Sequence, residues 1–95
     1  MFAHSNDQYG ENLGMGYTSV NDVVNAWYSE AVNYDYLNPG FGMNTGHFTQ
    51  VVWVNTKYIG CSQTKCPQGV FYGCKFDPPG NVYGQFPANV LSAIV

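Results

Sequence analysis

An α+β domain is the fold class that this sequence predicts, and three observations point to it. An apolar period of helical spacing runs from Val20 to Tyr34. Runs of β-branched and aromatic residues follow at 48–54, 58–61 and 70–76, and clusters of Gly and Pro separate these segments.

The chain has 95 residues, of which 45% are hydrophobic and 17% aromatic. A chain this short builds a single core, so residues 1–95 are expected to form one domain. Residues 1–18 hold Gly10, Gly14 and Gly16 among polar neighbours and are expected to be loop, with a short helical turn near Glu11 to Leu13. From Ser19 the pattern changes. Ser19 is suited to cap a helix, Asp22 sits in its first turn, and a helix over 20–34 is expected. Val20, Val23, Trp27, Glu30, Ala31 and Tyr34 then share an arc of about 100°, which puts the Glu30 carboxylate on the face meant for burial.

Residues 36–46, with Asn38-Pro39-Gly40 and Gly42, break the helix and form a loop. Phe48 to Val54 lacks strict alternation and reads as a central strand covered on both faces. Residues 58–61 and 70–76 continue the β signal. Period-two alternation places Val70, Tyr72, Cys74 and Phe76 on one side, and Asp77-Pro78-Pro79-Gly80-Asn81 ends the run. The apolar tail, Val90, Leu91, Ala93, Ile94 and Val95, is too short to assign from sequence; it covers a sheet edge or frays.

Composition excludes several function classes. Only 9% of residues are charged and the net charge is −3, so the basic stripe that nucleic acid requires is missing. No apolar stretch reaches the roughly 18 residues of a membrane span, and Met1-Phe2-Ala3-His4 lacks the features of a signal peptide. Eight Tyr, six Phe and eleven Gly match the loop-rich make-up of small extracellular domains. The three cysteines, Cys61, Cys66 and Cys74, leave one thiol without an intrachain partner. Their Cys-x4-Cys-x7-Cys spacing has no CxxC knuckle and no nearby histidine, which argues against a zinc knuckle.

The candidates for chemistry are two histidines and two glutamates. His4 near the chain start reads alone as a surface histidine, and Glu11 as a helix-start carboxylate. Glu30 is stronger, because a buried carboxylate must be paired or hydrogen-bonded. His47, between Gly46 and Phe48 and just before the expected central strand, sits where a strand end can present a ring to a cleft. Imidazoles with carboxylates suit a divalent cation or general acid/base work. HExxH, GxSxG, Walker and GxGxxG motifs are all missing and the cysteines read as structural, so no enzyme is assigned. The aromatic loop residues Tyr34, Tyr36, Phe41 and Phe48 bracket Pro39, Gly40 and Gly42, a composition that suits either packing or a lipid-binding patch.

Four stretches in order carry a resemblance: Gly10-Glu11-Asn12-Leu13, Ala26-Trp27-Tyr28-Ser29-Glu30, Gly46-His47-Phe48-Thr49-Gln50-Val51-Val52-Trp53, and Tyr72-Gly73-Cys74-Lys75-Phe76-Asp77-Pro78-Pro79-Gly80-Asn81. Over about residues 3–86 the chain closely resembles the CAP superfamily of cysteine-rich secretory proteins, antigen five and plant pathogenesis-related proteins, in the flavour of secreted fungal or plant members. The resemblance implies an α-β-α sandwich with a central antiparallel sheet and a secreted, extracellular setting. It also implies a cleft of His4, Glu11, Glu30 and His47 that binds zinc or magnesium. A sterol or fatty-acid site is implied over Tyr34 to Phe48, with Tyr34, Tyr36, Pro39, Phe41 and Phe48 as its residues. A Cys61–Cys74 disulfide and a free Cys66 thiol follow by the same route. The family's first helix has no counterpart ahead of His4, so the domain is expected to be truncated at its N-terminus.

A secreted sterol or lipid carrier is therefore the leading expectation. A defence or effector protein acting by surface recognition is one alternative. A metal-dependent hydrolase with Glu30 or Glu11 as base and zinc on His4 and His47 is the other.

Overall fold

The protein is described here by a computed structural model, in which residues 8–92 are described. The elements run β1 (Gly10–Met15), α1 (Val20–Ser29), a 3-10 turn (Glu30–Asn33), α2 (Gly46–Val51), β2 (Tyr58–Cys66), β3 (Gly69–Asp77) and α3 (Phe86–Asn89). The three strands form one antiparallel sheet in the order β1-β3-β2, with Glu11 opposite Lys75 and Cys61 opposite Cys74. The expected α+β class with an antiparallel sheet is what the chain adopts.

Helix α1 forms as its pattern dictates. The Ser19 side chain accepts from the Asp22 backbone N–H at 3.1 Å and caps the helix. Val23 and Trp27, one turn apart, are buried and pack on Tyr72, Cys74 and Phe76 of β3, which share one sheet face by alternation. Burial of each such side chain contributes roughly 1.5–3 kcal/mol. The Trp27 indole N–H also donates to the Leu13 carbonyl at 3.3 Å, tying α1 to β1.

Two expectations fail, each for a local reason. Residues 10–15 are a strand rather than a loop or helical turn, because pairing with β3 satisfies their backbone and overrides the weak propensity of Gly10 and Gly14. Gly14 even serves the packing, since a Cβ there would run into the Val23 side chain. The segment 48–54 is not a central strand: its first half lies in helix α2, and β3 is the central strand. Phe48, Thr49 and Gln50 are consecutive and all buried, a pattern that a short enclosed helix and a doubly covered strand share.

A second cluster gathers Phe48, Trp53, Phe86 and Val90, with Ala31, Tyr34 and Val52 against it. Phe86 and Val90 thus close on Phe48 of α2, whereas Ala93, Ile94 and Val95 of the apolar tail lie outside the described residues. Buried Asn89 fastens α3, its side-chain oxygen accepting from Asn55 N–H at 2.9 Å and its carbonyl from Val54 N–H at 3.1 Å. Cys61 and Cys74 are joined by a disulfide across β2 and β3, and Cys66 is a free thiol, the arrangement that the resemblance implies.

Candidate functional site

The site is built where the end of α1 meets the first turn of α2. Glu30 follows the last residue of α1, and its carboxylate reaches across to α2. One oxygen lies 2.8 Å from His47 Nδ1, and the other accepts the Phe48 backbone N–H at 3.0 Å. A carboxylate only accepts, so the hydrogen bond places a proton on Nδ1. The Glu30 side chain is 22% exposed and that of His47 38%, so the ring borders solvent while its partner is largely enclosed. The amphipathic phase of α1 thus found Glu30, and its burial is answered by two hydrogen bonds.

The His47 ring is further fixed by residues outside the four chemical candidates. It stacks on Trp27, with centroids 5.9 Å apart and planes 14° from parallel. The Asn12 amide donates to the His47 carbonyl at 3.1 Å. The 46–50 and 77–81 stretches clasp each other behind it. The Thr49 hydroxyl donates to Asn81 Oδ1 at 2.5 Å, Asn81 Nδ2 donates to the Gly46 carbonyl at 3.0 Å, and Gln50 Oε1 accepts Gly80 N–H at 2.9 Å. Asn81 holds a positive φ of 58°, which aims its amide at α2. Those two motifs therefore position the histidine, and their polar residues are the signal from which this was readable.

The expected four-residue cleft is gathered only in part. Glu30 and His47 meet; His4 lies outside the described residues. Glu11 falls on the other face of the sheet, where it lines a concavity of about 450 Å³ with Leu13 and Lys75. Strand alternation is the reason, since Asn12 turns toward the helices and its neighbour must turn away. Among the described residues no three His, Cys, Asp or Glu side chains gather as a metal site. The donor chemistry of the pair nonetheless fits a histidine ligand: a carboxylate on Nδ1 sets the tautomer and leaves Nε2 to a cation.

The aromatic loop sorts in the same way. Phe48 is 2% exposed and belongs to the second cluster, so it packs the core rather than lining a ligand surface. Tyr34 is half-buried between Tyr36, at 4.8 Å, and Phe48, at 5.8 Å, and among the described residues its buried hydroxyl has no hydrogen-bond partner. Pro39 and Phe41 line a concavity of about 450 Å³ together with Tyr83, Phe86 and Pro87, which the sequence did not mark. Tyr36 and Pro39 border a second one of about 400 Å³. At the base of the loop, the Asn38 side chain and the Leu37 N–H donate to the Asp35 carboxylate, and the two, in that order, hold its pKa below the ordinary value. Among the described residues no helix is long and apolar enough to cross a membrane.

A model of the cysteine-rich secretory protein family matches residues 1–76. Protein PRY2 of Saccharomyces cerevisiae is 47% identical over 90 residues, which cover 93% of this chain and 27% of that protein. Pathogenesis-related protein 1B of Nicotiana tabacum is 42% identical over 90 residues, covering 88% of this chain and 54% of that one. The crystal structure of NaASP2 with Zn2+ superposes with a TM-score of 0.70 at 27% identity, covering 86% of this chain and 52% of the other. The chain thus spans from about a quarter to about half the length of these relatives. With most of its length inside the family model and well over a third of its residues shared with the yeast and tobacco proteins, the chain belongs to the cysteine-rich secretory protein (CAP) family.

Proposed function

We propose that this domain is a secreted carrier of a sterol or fatty acid, with a separate His/Glu site for a divalent cation, zinc or magnesium. The observation that supports the carrier reading is the concavity lined by Pro39, Phe41, Tyr83 and Phe86. Its volume of about 450 Å³ lies within the roughly 300–1,000 Å³ of small-molecule sites, and its walls are mainly aromatic and apolar, with Asn81 as a polar member. The family's secretory description and the low charge of the chain support an extracellular setting.

At the second site, His47 Nε2 and His4 would be the nitrogen ligands, with Glu30 as the carboxylate behind His47. A bound divalent cation would supply positive charge that polarises an attached water. The residues themselves orient the ring: Glu30 sets its tautomer and Trp27 its plane. Glu11 lines a concavity with Leu13 and Lys75, apart from the Glu30–His47 pair.

Binding of radiolabelled cholesterol to the wild-type chain and to a variant with Tyr36→Ala and Phe41→Ala tests the carrier reading. The expected result is saturable binding that the double variant loses; equal binding by both would remove the loop assignment. Zinc is expected to leave that result unchanged.

A further inference from the structure

Exposed apolar side chains gather around the loop that joins α1 to α2. Leu37 is 90% and Met43 92% exposed, and between them Phe41 is 60% exposed. Tyr83 at 97% and Leu91 at 60% belong to the opposite rim. Two concavities make this one surface: Phe41 and Tyr83 line one, Tyr36 and Leu91 the other, and both include Pro39 and Pro87. A contiguous apolar area of this kind on a small domain marks an interaction surface.

The charge distribution selects the partner. Residues 1–56 and 76–95 contain no lysine or arginine; the three cations are Lys57, Lys65 and Lys75. Lys65 and Lys75 belong to β2 and β3, and Lys57 directly precedes β2. Within the loop 34–45 Asp35 is the sole formal charge. An anionic partner would find no cation here. Apolar side chains flanked by tyrosines, whose rings have an apolar body and a polar tip, match the interface of an uncharged bilayer.

We propose that this rim docks the domain on a zwitterionic lipid surface, with Leu37, Phe41 and Met43 entering the acyl boundary and Tyr36 and Tyr83 at headgroup level. The choice of a lipid surface rests on the carrier reading, because a lipid moving between bilayer and concavity must cross this rim. Contact is driven by apolar burial rather than by charge, so it is insensitive to salt.

The test floats the 95-residue chain with phosphatidylcholine vesicles, with and without phosphatidylserine, at low and high salt. The comparison variant carries Leu37→Asp and Met43→Asp, two exposed sites whose change leaves the core intact, as far-UV circular dichroism verifies. Expected are flotation of the wild type that neither salt nor phosphatidylserine alters, and a fall of about tenfold or more in the variant's partition. No flotation, unchanged partition of the variant, or binding that needs phosphatidylserine and vanishes at high salt overturns the proposal. So does a dimer in light scattering that the variant dissolves while no flotation is seen, which assigns the rim to a second copy. Capture of cholesterol from detergent micelles is measured separately. Capture without flotation removes the docking and keeps the carrier reading, whereas flotation without capture supports docking and removes the carrier.

Discussion

Glu30 grips α2 with both carboxylate oxygens, one on His47 Nδ1 at 2.8 Å and one on the Phe48 N–H at 3.0 Å. Replacement by Ala leaves the backbone N–H and the imidazole without their acceptor. We expect Glu30→Ala to cost about 1–3 kcal/mol in denaturant unfolding. A loss under a few tenths would show that the clasp contributes little.

If the pair serves a cation, Glu30→Gln leaves one acceptor oxygen for two donors, Nδ1–H and the Phe48 N–H, and removes the charge behind the ring, which weakens the ligand. Zinc affinity is expected to fall about 10- to 100-fold by calorimetry, to disappear in His47→Ala, and to decline on acidification because imidazolium cannot ligate. Absence of any zinc-dependent heat in the wild type at neutral pH would remove the cation site.

The buried Tyr34 hydroxyl has no hydrogen-bond partner among the described residues. Tyr34→Phe removes it and keeps the ring on Tyr36 and Phe48. The variant is expected to equal or exceed the wild type in stability, by up to about 1 kcal/mol. A clear loss would reveal a partner for that oxygen.

Gly14 meets Val23 so closely that an added methyl has no room. Val23 is fully buried against β3, so the strain falls on the core. Gly14→Ala is expected to cost about 1–3 kcal/mol and to lower the melting temperature.

Asp35 is fully exposed and is held below the ordinary carboxylate pKa by the Asn38 side chain first and the Leu37 N–H second. A depressed folded value means that the ionised form is favoured by folding. Its contribution is complete above the ordinary carboxylate range and is lost as pH falls through the depressed value. An NMR titration of its side-chain carboxyl should find the midpoint below that of an unstructured Asp, and Asn38→Ala should raise it. An unshifted midpoint would contradict the loop geometry.

How much of this was legible depended on periodicity. The amphipathic phase of α1 exposed both its buried face and the odd position of Glu30, because two turns of unambiguous spacing average out chance. The face taken by Glu11 was unreadable, since it depends on recognising β1, whose glycines conceal a strand. Once that strand exists, alternation alone separates Glu11 from Asn12 and from the helices. Helix α2 was hidden by the consecutive burial of Phe48, Thr49 and Gln50, a pattern that a short helix and a doubly covered strand share. Tyr83, Phe86 and Pro87 gave no signal, as their place beside Phe41 comes from the tail folding back over α2.

Trp27 gives the protein an optical sensor of its own. The indole is pinned by its N–H to Leu13 and lies flat against His47, so the imidazole is its nearest electronic neighbour on that side. A charged or ligated imidazole quenches an indole differently from a neutral one, so the state of His47 is written into the emission of Trp27. Trp53 sits in the other cluster against Phe86 and supplies a steady background. If the Glu30–His47 pair holds a cation, its binding is expected to change the Trp27 emission of the unlabelled chain, which a fluorescence titration with zinc would check.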